Sequence, residues 1–296
     1  AAGIPIVKAM REGLAANRLS RVYGILNGTS NFILTQMRAS GRSFDEVLAE
    51  AQELGYAESE PGFDIDGVDA GHKLAILTSL AFGCQIDFGA VHIEGIRRIT
   101  SLDIEYAEEL GYRIKLLATA RRTENGIEQR VHPSMVRSTA PIAYVEGVTN
   151  AVVADGDFIG STIYEGPGAG AGPTASAVVA DIVDIARGRK SPTFAIPAKS
   201  LEKLKPAPME QHNGSYYIRL MVVDEPGVVA DVAAALRDEM VSMEAMLQKA
   251  RAPQEAVPVV LTTHNSNEAA VVRALDRIAK IAAVREPPCM IRIEDL

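Results

Sequence analysis

Five carboxylates and one ammonium group crowd a single stretch of this 296-residue chain, GYAESEPGFDIDGVDAGHK. Glu58, Glu60, Asp64, Asp66 and Asp69 arrive within a dozen residues, Lys73 follows, and Leu74 to Phe82 then carries no charge. Asp69 and Lys73 are four apart, so on a helix they share one face. Glu58 and Asp64 precede them in a Gly/Pro/Asp loop that can fold back over that face. Carboxylate neighbours favour the charged form of a lysine, and burial disfavours it. A lysine under both influences can trade a proton with an alcohol or carbonyl oxygen. The remaining acids could hold the ammonium group of an amino-acid substrate. The same spacing also fits a surface ion pair worth about 0.3–0.5 kcal/mol, and acids near a helix start follow from the macrodipole. The run that follows favours the functional reading. A helix apolar all round is expected to be buried, so its polar first turn should border a cleft.

Two glycine-bearing stretches are weaker candidates. GPGAGAG (166–172) offers backbone N–H groups at a helix start, an anion site in principle. Its spacing is not GxGxxG and it follows a hairpin, so a flexible turn is the simpler reading. NGTSN (27–31) ends a strand and offers Thr29 as an N-cap, with ligand contact second.

The elements that must position these residues read as follows. RVYGILNG (21–28) is a strand and turn, and TSNFILTQMRASG (29–41) a helix. SFDEVLAEAQELG (43–55) has a capping box, Ser43 with Glu46, and a stop at Gly55. A loop to about Ile65 precedes a helix from about Gly67 to Phe82. VHIEGIRRI (91–99) reads as a strand and DIEYAEELG (103–111) as a helix. Hairpins are predicted around Thr123–Gly126 and Asp155–Asp157, and a helix over 173–188. Residues 189–213 carry four prolines and read as a linker or an irregular crossing segment. Beyond them the pattern is βαββαβ, a ferredoxin-like order. The predicted fold class is α+β, with domains at 1–188 and 214–296.

Composition sets further bounds. At 47% hydrophobic residues a core can form, and no apolar run approaches the ~18–20 residues of a membrane span. A net charge of −8 argues against nucleic acid as a partner. Cys84 and Cys289 lack metal or redox spacing, and a reducing cytoplasm is expected. The chain opens AAGIPIVKAM, with neither initiator methionine nor signal peptide, and reads as the C-terminal part of a longer polypeptide.

GIPIVKAMREGLA, RVYGILNGTSNFILTQM, ELGYAESEPGFDIDGVDAGHKLAIL and GPGAGAGPTASAVVADI together resemble the homoserine dehydrogenase family, in its bacterial form with a C-terminal ACT domain. The resemblance implies a mixed-sheet catalytic and dimerisation domain with helices on one face, then a ferredoxin-like ACT domain. It implies NAD- or NADP-dependent interconversion of L-homoserine and L-aspartate 4-semialdehyde, on the route to threonine, methionine and isoleucine. Lys73 matches the family's proton donor and acceptor, and Asp64 an acid of the same pocket. Glu58 and Asp69 match the carboxylates that hold homoserine, and Gly170 a glycine touching the cofactor. Ala2 and Ile4 match carbonyls that coordinate a structural sodium or potassium ion. Asp224, Gly227 and Val228, in DEPGVVADV, match the turn where ACT domains bind small amino acids such as L-threonine. A homodimer or homotetramer is implied. The family's leading Rossmann domain with its GxGxxG and a further lysine is absent from this sequence, as are the glutamate and valine expected before Ala1. By this resemblance the chain carries the substrate and regulatory parts and alone should bind cofactor poorly. The alternative is a non-catalytic dimerisation and amino-acid-sensing fragment.

Overall fold

The computed structural model describes residues 3–249 and 256–296. A short helix α1 (Ile6–Lys8) runs into a π-helical turn, Ala9–Gly13. Then come β1 (Leu19–Ile25), α2 (Gly28–Ser40), α3 (Phe44–Glu53), α4 (Gly62–Ile65) and α5 (Val68–Phe82). β2 (His92–Ile93), α6 (Ser101–Glu109), β3 (Tyr112–Thr123), β4 (Gly126–Arg137), β5 (Thr149–Gly156), β6 (Gly160–Pro167) and α7 (Ala171–Ala186) follow. The last elements are β7 (Asn213–Val223), α8 (Val228–Asp238), β8 (Met243–Leu247), β9 (Ala256–Thr263), β10 (Ser266–Asn267), α9 (Glu268–Ile278) and β11 (Cys289–Glu294).

The chain divides into two compact units. One comprises Ala1–Ile104, Ile114–Pro133 and Thr139–Ala207, the other Glu105–Arg113, Ser134–Ser138 and Pro208–Leu296. In the first unit the strand order is β6-β5-β1-β3-β4. β1 pairs antiparallel with both β3 and β5, and β2 adds to β4 in parallel, so the sheet is mixed. β1 is central because its second half, Val22 to Ile25, is wholly buried. Its Gly24 is required there: a Cβ would stand 2.2 Å from the Ala151 carbonyl oxygen. The capping box forms as the sequence implies, with both Ser43–Glu46 bonds present. Helix α5 is buried along Ala70, Leu74, Leu77 and Thr78, as an apolar helix should be.

Three expectations are corrected. The strand predicted over 91–99 shrinks to His92–Ile93. Glu94 still donates to the Val131 carbonyl, but Ile96 N–H turns to Ile65 at 2.9 Å. Gly95 makes that departure possible, since a Cβ there would lie 2.4 Å from the Ile65 oxygen. The N-cap of α2 is Asn27, not Thr29. The second hairpin turns at 157–159, because β5 runs on to Gly156. Of the two readings of residues 189–213, the irregular crossing segment fits better: Glu202 bridges to Cys84 and Pro206 to Ile127, both within the first unit.

The second unit orders its strands β11-β7-β9-β8, with residues 134–136 of β4 parallel to β11. Tyr216, Ile218, Leu220 and Val222 alternate along β7 into one face. Val232 and Leu236 of α8 and Val271 and Ile278 of α9 pack on that face. Among the described residues no helix is long and apolar enough to cross a membrane.

Candidate active site

The site starts where β1 ends. Asn27, still in extended backbone, caps α2 by accepting the Ser30 N–H at 2.8 Å. Its side-chain nitrogen donates to Asp64 Oδ1 at 2.7 Å and to Asp69 Oδ2 at 2.9 Å. One buried amide thus ties a strand end, a helix start and two acids from other elements.

Asp64 lies on α4 and Asp69 in the first turn of α5, and Gly67 makes the bend between them. Its φ of 84° is left-handed, and a Cβ would press on Ile93 and Val131 at 3.2 Å. One turn on, Lys73 Nζ donates to Asp69 Oδ2 at 2.6 Å and to the Leu26 carbonyl at 3.0 Å. An ammonium group has three donors, so these two bonds leave one for the cleft. Each carboxylate likewise keeps an oxygen that these bonds do not use: Asp69 Oδ1 and Asp64 Oδ2. Two carboxylates against one ammonium give the cluster one formal negative charge in excess, suited to a ligand's cation.

The cleft has a volume of about 440 Å³, the size of small-molecule sites. Val148, just before β5, Asn150 of β5 and Pro167–Gly170 also line it. Gly170 lies there at φ 115° as the N-cap of α7, which has no side-chain cap. Tyr56 also lines the cleft and stacks edge-on against Phe32 at 5.0 Å. Thr29, read as a cap, instead donates its hydroxyl to the Tyr56 carbonyl at 2.7 Å.

The structure therefore brings Lys73, Asp64, Asp69 and Gly170 together around one cleft. Glu58 is exposed on the loop two residues past Tyr56 and is not among the lining residues. Asp66 leaves the cluster for Arg97, at 2.5 and 3.0 Å. Ile4 is buried, and its carbonyl accepts the Ile6 N–H at 2.8 Å. Ala2 lies outside the described residues. In the second unit Asp224 accepts from Gln248 at 3.3 Å, Gly227 begins α8 at φ 101°, and Val228 turns into the core. The apolar void beside Val228 measures about 10 Å³, no more than one water. Among the described residues no group of three or more His, Cys, Asp or Glu could hold a metal.

Sequence reasoning missed Asn27, Asn150 and Tyr56. A signal existed for Asn27 alone: Asn outranks Thr as an N-cap, and it stands at the strand end.

A lysine held by a carboxylate and lining a cleft of small-molecule size is a candidate enzyme site. The family model described as homoserine dehydrogenase matches residues 5–183. A homoserine dehydrogenase of Neisseria gonorrhoeae is 49% identical over 302 residues, covering all of this chain and 69% of the relative. The crystal structure of a homoserine dehydrogenase from Thiobacillus denitrificans superposes with a TM-score of 0.93 at 49% identity, covering 99% of this chain and 68% of that one. A hyperthermophilic archaeal homoserine dehydrogenase in complex with NADPH superposes with a TM-score of 0.55 at 31% identity, covering 64% and 54%. The chain belongs to the homoserine dehydrogenase family, and its activity is that of an oxidoreductase.

Proposed function

We propose that the cleft binds L-homoserine or L-aspartate 4-semialdehyde and that Lys73 carries the proton of the reaction between them. The single supporting observation is the Lys73 ammonium, fixed by Asp69 and Leu26 with one donor left toward the cleft. In the reducing direction the Lys73 ammonium gives its third proton to the developing alkoxide and is left as the amine; in the oxidising direction Lys73 first releases that proton to solvent, and the neutral amine then takes the proton of the substrate hydroxyl. Asp69 orients the ammonium. The free oxygens of Asp64 and Asp69 attract the substrate's own ammonium group, and Glu58 joins them if its loop closes over the cleft.

Gly168 and Gly170 add no side chains to their stretch of the wall, and the start of α7, which has no side-chain cap, presents N–H groups beside it. Such a wall fits a flat ring and a phosphate-bearing group. NAD or NADP, when bound, supplies the hydride acceptor. A sodium or potassium ion would take the remaining lone pair of the Ile4 carbonyl, with Ala2 as its second carbonyl. The second unit reads as a ferredoxin-like ACT domain on the strength of its βαββαβ order. L-Threonine would then meet the backbone at Asp224–Val228, since the void beneath is too small to admit it. A homodimer or homotetramer in the cytoplasm completes this reading.

The test is reduced-cofactor formation by the full-length protein with L-homoserine, L-serine and L-threonine in parallel. Turnover with L-homoserine alone supports the assignment. Turnover with none of them, in protein that binds cofactor, overturns it.

A further inference from the structure

We propose that the side-chain carbonyl of Asn150 is a receptor for an N–H donor on a ligand bound in the cleft. Asn150 is 1% exposed, lines the cleft from β5, and its buried Oδ1 has no hydrogen-bond partner among the described residues. The two other buried asparagines of this region differ. Asn27 uses its oxygen for Ser30 and its nitrogen for Asp64 and Asp69. Asn31 donates to the carbonyls of Val145, Gly147 and Thr149 and accepts from Lys115. A buried carbonyl without a donor bears its desolvation cost without return, and such groups are rare in folded proteins.

The oxygen is also held in place. A Cβ on Gly168 would fall 2.4, 2.6 and 2.8 Å from Oδ1, Cγ and Nδ2 of Asn150, so the glycine loop lies flat against the amide. A Cβ on Gly28 would come within 3.3 Å of the same Oδ1. Larger residues at either position would displace the oxygen, and all three residues line the cleft. An amide oxygen only accepts, so its partner brings the hydrogen. This inference rests on the reading of the cleft as the substrate and cofactor site. That reading offers two donors of the same kind: the ammonium of the amino-acid substrate and the carboxamide of the nicotinamide ring.

Two variants of the full-length protein test it. Asn150→Leu removes the acceptor at similar size, and Asn150→Asp keeps one should Leu disturb the fold. The readouts are dissociation constants: L-homoserine and 4-hydroxybutyrate by calorimetry, NADPH and its 3-acetylpyridine analogue by fluorescence. A lost hydrogen bond in a dry site should weaken binding about tenfold or more. If Asn150→Leu weakens L-homoserine but not 4-hydroxybutyrate, the donor is the ammonium. If it weakens NADPH but not the analogue, the donor is the carboxamide. Either result, with binding retained in Asn150→Asp, supports the inference. Equal losses for a ligand and its donor-free analogue, or no loss for either ligand, overturn it. A wild-type protein that binds neither L-homoserine nor NADPH overturns the reading of the cleft as well.

Discussion

Lys73 Nζ stands 2.6 Å from Asp69 Oδ2, one helical turn away on α5. An exposed pair at this spacing contributes only about 0.3–0.5 kcal/mol. This pair differs because each partner is held again from outside the helix. The Leu26 carbonyl takes a second lysine proton, and Asn27 donates to the same carboxylate oxygen. The side chains of Lys73 and Asp69 are 36% and 18% exposed, open enough to meet a ligand. The pair is thus fixed from outside the helix as well as along it.

Asn27 should separate stability from catalysis. Serine caps a helix about as well as asparagine but cannot reach Asp64 and Asp69. Asn27→Ser should therefore change unfolding free energy by less than about 1 kcal/mol while lowering kcat/KM about tenfold or more, as the acids lose their common donor. Urea unfolding and steady-state kinetics on one preparation check both. An unchanged kcat/KM would show that the bridge does not position the acids.

Glu268 and Arg292 are a buried pair in the second unit, 5% and 2% exposed. Tyr216 Oη also donates to Glu268 Oε2 at 2.9 Å. Arg292→Leu leaves the carboxylate buried without its cation and should destabilise that unit by about 3–5 kcal/mol. Leucine at both positions should restore much of the loss, because the orphaned charge goes with its partner. Denaturant midpoints of the single and double variants provide the comparison.

Asp184 on α7 is held below the usual carboxylate range, first by the hydrogen bond from Lys8 and also by nearby arginines. A depressed folded-state pKa stabilises above the unfolded value of about 3.9 and is lost as pH falls through the folded value. Hydrogen exchange in α7 should thus quicken as pH drops below about 4, relative to an unstructured control. Asp184→Asn should remove that dependence. An equal pH response in wild type and variant would contradict the role of this pair.

Local rules made much of this legible. Ser43 and Glu46 sit at capping-box spacing and form that box. Most of the uncharged run after Lys73 is buried, with Ile76 exposed, and the Asp69–Lys73 spacing does place both on one face. The rest depends on partners distant in sequence. Asp64 and Asp66 are the same residue type two positions apart, yet one enters the cluster and the other pairs with Arg97. Asn27 meets its acids 37 and 42 residues later. Asn150 acquires its place only when the glycine loop folds over β5. VHIEGIRRI alternates like a strand, but Gly95 lets it leave the sheet after two residues.

The most direct measurement is single-turnover oxidation of L-homoserine by the full-length Lys73→Ala protein, with L-homoserine affinity measured in parallel. Loss of most of the rate, about a hundredfold or more, with affinity changed only modestly, is the expected result. A rate like that of the wild type would contradict the assignment of the proton to Lys73.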